Sequence, residues 1–183
     1  MKVPQLPSQQ VSWITAEVAG FIARQREHYR RRAAPLSLVQ NAAMQPFFPE
    51  HVLQTTRLLT LVDSRVPNPN FYPKLLDMGL PESLLPDFAT VVAAVTFQDV
   101  VVSHERFVHR LLFHELVHAV QYQKLGKDEF ARLYVRGFLQ NGSYDGIPLE
   151  VNAYRLDARF ARQPSRPFSV EAEVQAWIDN GKF

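Results

Sequence analysis

Residues 111–123, LLFHELVHAVQYQ, constrain this chain more than any other stretch. His114, Glu115 and His118 sit among Leu111, Leu112, Leu116, Val117, Ala119 and Val120. A helix with those flanks is apolar on several sides, so it must be buried. Buried imidazoles and carboxylates are costly unless they are partnered. The fold therefore has to bring something to these three residues.

On a helix, residues four apart lie one turn above each other on the same face. The rings of His114 and His118 then stand side by side, at a separation suited to one metal ion. Glu115 is about 100° further round the helix. It can reach a water on that ion without ligating it. This is the HExxH pattern: two zinc ligands and a general base, with the metal lowering the pKa of the water. The bland alternative is a pair of core histidines hydrogen-bonded to backbone, to Gln121 or to Tyr122.

A catalytic zinc needs a third protein ligand and an open position. The histidines are His28, His51, His104, His109, His114 and His118, so none follows the motif. The positions three and six after the second motif histidine, where a glycine and a third histidine would extend the pattern, hold Gln121 and Lys124. The third ligand is then a downstream acid or an upstream histidine. Asp128 and Glu129 lie too close to the helix end and read as helix N-terminal charges, as do Glu171 and Glu173. Asp145 belongs to the turn NGSYDG. Glu150 lies 32 residues after His118, early in the apolar-flanked segment IPLEVNAYRLDARF, and is the leading candidate. Asp157 is the second.

HELVH followed by a helical glutamate in PLEVNAY resembles the gluzincin group of zinc metallopeptidases. The closer likeness is to small single-domain bacterial members related to the minigluzincins. The resemblance covers about residues 90–160. It implies a zincin-like fold, His114, His118 and Glu150 as zinc ligands, and Glu115 as general base and acid. It implies a peptide or protein substrate, with TVVAAVTF as an edge strand on which an extended peptide pairs. One position departs from the family. Four residues after the glutamate ligand, where an aspartate braces a ligand histidine, this chain has Tyr154. Asp157 or Asn152 then takes that bracing role. Tyr144, Tyr154 and His109 are the candidates to stabilise an oxyanion, whereas helical phase keeps His109, like His104, off the metal face. The rival function is a non-catalytic zinc-binding interaction module on the same scaffold, suggested by the missing aspartate and the small size.

The rest of the chain reads as one α+β domain over residues 1–183. The spacing of Trp13, Ile14, Val18, Phe21, Ile22 and Tyr29 predicts a helix over 12–33, capped by Ser12 or Thr15 and ended by Pro35. A shorter helix broken by Pro46 and Pro49 fits 41–54, and a strand fits 56–63. SRVPNPNFYP is a loop, and KLLDMG one helical turn closed by Gly79. Residues 90–102, TVVAAVTFQDVVV, form a hairpin or one bent strand. Ser103 and Gly126 bracket a motif helix of about 22 residues. Further helices fit 128–141, 148–163 and 170–179, the last capped by Ser169. The expected architecture is a small, mostly antiparallel sheet packed on the motif helix.

With 0 cysteines there is no disulfide framework or thiolate site. The N-terminus lacks an apolar leader and no segment reads as a membrane span, so a cytoplasmic location is expected. A net charge of +2 does not call for nucleic acid. The run of Arg24, Arg26, Arg30, Arg31 and Arg32 reads first as a solvated helix face and second as a partner contact.

Overall fold

In the computed structural model, which describes residues 4–181, the chain enters on a long helix, α1 (Ser8–Arg30). It buries Ile14, Ala19, Phe21, Ile22 and Tyr29 along one stripe. It begins four residues before the predicted start, directly after Pro7, and no side chain caps it. Thr15 donates instead to the Val11 carbonyl inside the helix. A two-residue strand, β1 (Ala34–Pro35), follows and was not predicted. The broken helix expected over 41–54 is two helices, α2 (Leu38–Met44) and α3 (Glu50–Thr55), with Pro46 and Pro49 between them. A capping box of Ser37 and Gln40 fixes the start of α2.

Strand β2 (Arg57–Thr60) leads through the proline-rich loop to the short helix α4 (Tyr72–Asp77), and Gly79 then turns the chain at φ 87°. The apolar run resolves as a hairpin of β3 (Ala94–Phe97) and β4 (Val100–Ser103), with Gln98 in the left-handed region at the turn. Residues 90–93 stay outside the strand.

The sheet order is β1-β2-β4-β3. Two pairings are antiparallel, and β2–β4 is parallel. The sheet is therefore mixed. The parallel pairing follows from the hairpin: β3 runs along the outer edge, and the turn returns β4 beside β2. Central β4 is buried at every residue, which accounts for its unbroken VVV run. Val100 and Val102 pack with Phe21 and Tyr29 of α1. Val101 points the other way, into the same cluster as Leu112, Phe113 and Leu116.

Ser103 ends β4 and does not cap a helix; its hydroxyl bonds the backbone of Glu105. Strand pairing captures it first. The motif helix, α5 (His109–Asn141), starts six residues later after Val108. Gly126 breaks its regularity at φ 73° and ψ 166°, so the two predicted helices meet at a kink with no loop between them. Helices α6 (Pro148–Arg162) and α7 (Val170–Asp179) close the chain, with Ser169 capping α7.

Two clamps hold this frame around α5. Arg26 and Arg30 of α1 both grip Asp99 in the hairpin turn, so part of the basic run is structural. Gly137 of α5 lets the start of α6 approach: a Cβ there would lie 2.5 Å from Pro148 Cδ. Among the described residues no helix is long and apolar enough to cross a membrane.

Candidate metal centre

His114, Glu115 and His118 all project from the buried first half of α5, and Glu150 meets them from the first turn of α6. His114 Nε2 lies 3.1 Å from His118 Nε2. Glu150 Oε2 stands 3.5 Å from the first and 3.3 Å from the second. His114, His118 and Glu150 are 7%, 5% and 3% exposed, so this is a closed, desolvated cluster.

The outer nitrogens of both rings are already committed. His114 Nδ1 faces Asp157 Oδ2 at 3.1 Å. A carboxylate with no proton only accepts, so His114 donates there. Asp157 in turn accepts from the Arg110 guanidinium at 3.0 Å. His118 Nδ1 faces Gln121 Oε1 at 2.9 Å. The Gln121 amide is oriented by the Leu149 carbonyl, which accepts from Nε2 at 3.0 Å, so His118 donates as well. Asn152 Oδ1 takes a second bond from the same amide nitrogen. With both Nδ1 atoms donating outward, both Nε2 atoms face Glu150 Oε2, and each offers a lone pair there once its ring is neutral. That oxygen is buried and takes no hydrogen bond. Two ring nitrogens and a carboxylate oxygen facing one another are the arrangement a cation, a proton or a metal ion, satisfies. The group could hold a metal ion, its ligand atoms all lying within 4.8 Å of one another.

The electrostatics point the same way. Burial pushes the His114 imidazolium down, but its contacts with Asp157 and Glu150 outweigh this and raise its pKa to about 10. His118 is likewise raised, against its own burial, by the Glu150 charge. Burial pushes Glu150 up, and the two imidazoles overcome this and hold its carboxyl well below the usual range. The site attracts positive charge to its centre.

Glu115 is 4% exposed and stands beside this cluster. Its Oε2 accepts from Thr96 Oγ1 of β3 at 2.7 Å, and its Oε1 takes no bond from the described residues. A cleft of about 990 Å³ opens over His114 and Glu115, walled by residues 91–94, Arg110, Tyr144, Tyr154 and Asp157. Residues 91–94 lead into β3, the outer strand of the sheet. The His104 amide bonds the Ala93 carbonyl, so alternation turns the main-chain groups of Ala94 and Thr96 away from β4.

The predicted residues His114, His118, Glu115 and Glu150 thus come together. The competing acids are engaged elsewhere: Asp128 with Lys127, Glu129 with Arg132, Glu171 with Lys124, and Glu173 with Arg155 and Arg159. Asp157 is a brace on His114 and not a member of the ligand group. The Tyr154 ring lies tilted against the His114 ring, with centroids 4.6 Å apart. His109 is exposed at the start of α5 and does not line the cleft, which removes it as an oxyanion donor. Thr96 and Arg110 were missed. Arg110 precedes His114 by one helical turn, a readable spacing. Thr96 is a polar residue inside an apolar strand, which is a weaker signal. No protein-family model, curated protein or solved structure matches this chain.

Proposed function

We propose that the protein is a zinc-dependent metallopeptidase of the gluzincin type, with a zincin-like α+β domain. The observation that carries this reading is the closed His114–His118–Glu150 cluster with Glu115 beside it at the foot of an open cleft. Two imidazoles and one carboxylate suit zinc among the common divalent ions, and three protein ligands leave a position for chemistry. Zinc in such a set is a Lewis acid that acidifies a coordinated water and polarises a carbonyl.

The chain's own residues supply the rest. An extended peptide pairs with the open main-chain groups of Ala94 and Thr96, which sets its register across the cleft. Glu115 takes a proton from the attacking water through its unoccupied Oε1 and returns it to the leaving amine. Thr96 holds the other oxygen and so fixes the carboxylate's direction. The Tyr154 hydroxyl is pushed up to about 12 by burial and the Glu150 charge, and Tyr144 is raised further in the same way. Both stay protonated at neutral pH and are hydrogen-bond donors to a developing oxyanion. A purely structural metal site has no use for Glu115, and this argues against a non-catalytic module.

The test is cleavage of a broad peptide library by the zinc-loaded protein, with the chelated protein and Glu115→Gln as controls. Cleavage that disappears in both controls supports the proposal. A fully zinc-loaded protein that cleaves nothing would overturn it.

A further inference from the structure

Arg110 stands on the first turn of α5, one helical turn before His114, and lines the cleft. No other lysine or arginine among the described residues lines it. Its Nε and Nη2 both donate to one oxygen of Asp157, at 3.3 and 3.0 Å. The other oxygen of Asp157 accepts from His114 Nδ1. The Asp157 side chain is 4% exposed and that of Arg110 60%, so a buried anchor holds a largely exposed guanidinium. A guanidinium carries five N–H donors in a flat fork. Balancing Asp157 uses only the Nε side of that fork. Nη1 makes no hydrogen bond to the described residues, so the edge formed by Nη1 and Nη2 is open. Such an edge receives a carboxylate through two parallel bonds.

We infer that Arg110 receives a carboxylate of the bound peptide, its C-terminus or an acidic side chain, about two residues beyond the bond held at the metal cluster. The inference rests on the peptidase reading for the identity of the bound molecule. Spacing supports it. Arg110 and His114 lie about 6 Å apart along the helix axis, and an extended chain covers about 3.3 Å per residue. Direction supports it too. Residues 91–94, which lead into β3, line the cleft with Arg110, whereas Phe97 at the far end of β3 does not. Antiparallel pairing, the more stable kind, lays the C-terminal part of a peptide at the start of β3. Parallel pairing would bring its N-terminal part, and any free ammonium, to the guanidinium. The remaining charges of the cleft narrow the place further. Glu82, Asp87 and Asp145 also line it and repel a carboxylate. Apart from a bound metal, Arg110 is the cation that such a group can reach.

The test is calorimetric binding of four hydroxamates to the full-length, zinc-loaded protein, which requires no turnover. Each is a succinyl hydroxamate, anchored on the metal and joined to one residue: alanine as the free acid, alanine amide, aspartate amide or asparagine amide. At least one carboxylate probe should bind about five- to tenfold more tightly than its neutral partner, the gain expected between an exposed ion pair and a charge-assisted hydrogen bond. A preference for the alanine acid over alanine amide assigns the C-terminus. A preference for aspartate amide over asparagine amide assigns an acidic side chain. Arg110→Gln, saturated with zinc, should erase the preference. An Arg110 that served only to hold Asp157 would instead shift charged and neutral probes together. Arg110→Lys keeps the charge without the fork and should retain only part of the preference; it serves if Arg110→Gln does not fold. Equal affinity within both pairs, no binding of any probe, or an undiminished preference in a folded, zinc-loaded variant overturns the inference. An intact preference in a protein that cleaves no peptide would sink the peptidase reading alone.

Discussion

The Nε2 atoms of His114 and His118 stand 3.1 Å apart, each on a ring whose Nδ1 already donates to an oxygen acceptor. Without a cation, that pair is relieved by a proton. His114 is raised from 6.5 to about 10, so at pH 7 it is protonated and a metal must displace that proton. Because the folded pKa is raised, the stability His114 contributes to metal-free protein is complete below pH 6.5. It is lost as pH rises through about 10. Glu150 is lowered from 4.5, so its contribution is present above that pH and is lost as pH falls through its folded value. Metal-free protein should therefore draw most from this cluster between pH 4.5 and 6.5. Zinc affinity should rise with pH, with about one to two protons released per ion. Calorimetry in two buffers of different ionisation enthalpy checks this, and an affinity independent of pH between 6 and 8 would refute it.

The braces on the two rings should matter separately. Asp157→Ala removes the acceptor that fixes the His114 tautomer, and Gln121→Leu does the same for His118. Each should weaken zinc binding by about 10–100-fold while the protein stays folded. Arg110→Ala should have a smaller effect, because its side chain is 60% exposed and acts only through Asp157. Competition with a chromophoric chelator measures all three.

Thr96 gives a different signature. Thr96→Val keeps the volume but leaves Glu115 Oε2 without its donor. Zinc content should be unchanged, and kcat for peptide cleavage should fall about tenfold, roughly the effect of misdirecting a general base. Glu115→Gln should abolish turnover with zinc retained. Loss of zinc in Thr96→Val would show that the threonine serves the metal cluster instead.

Gly137→Ala tests the placement of α6. The added Cβ would lie 2.5 Å from the Pro148 ring, two residues before Glu150, and a pyrrolidine ring cannot rotate away. Overpacking of this kind costs about 1–3 kcal/mol. The melting temperature should fall, and zinc affinity should fall with it because Glu150 is displaced. A variant with unchanged affinity would mean α6 absorbs the shift before Glu150.

The parts of this site that were legible in the sequence are those set by helix geometry. His114, His118 and Glu115 depend only on spacing along one helix. Glu150 and Asp157, seven residues apart, share one face of α6, so a brace two turns from the ligand follows from the same geometry. The rest depends on contacts between elements, which local patterns do not encode. Thr96 meets Glu115 only because β3 crosses α5. Ser103 carries a good capping side chain, but pairing with Ala94 and Thr60 holds it in β4. The two-residue β1 is too short to leave a periodic signal, and the single parallel pairing is a property of sheet order.

Every prediction above depends on the proposal that His114, His118 and Glu150 hold one zinc ion. Metal analysis of the purified full-length protein, alongside His118→Ala and Glu150→Ala, tests it most directly. Close to one zinc per wild-type chain is expected, and loss of nearly all of it in both variants with circular dichroism still native. Undiminished zinc in folded Glu150→Ala, or a wild-type chain that takes up no zinc when it is offered in excess, would contradict it.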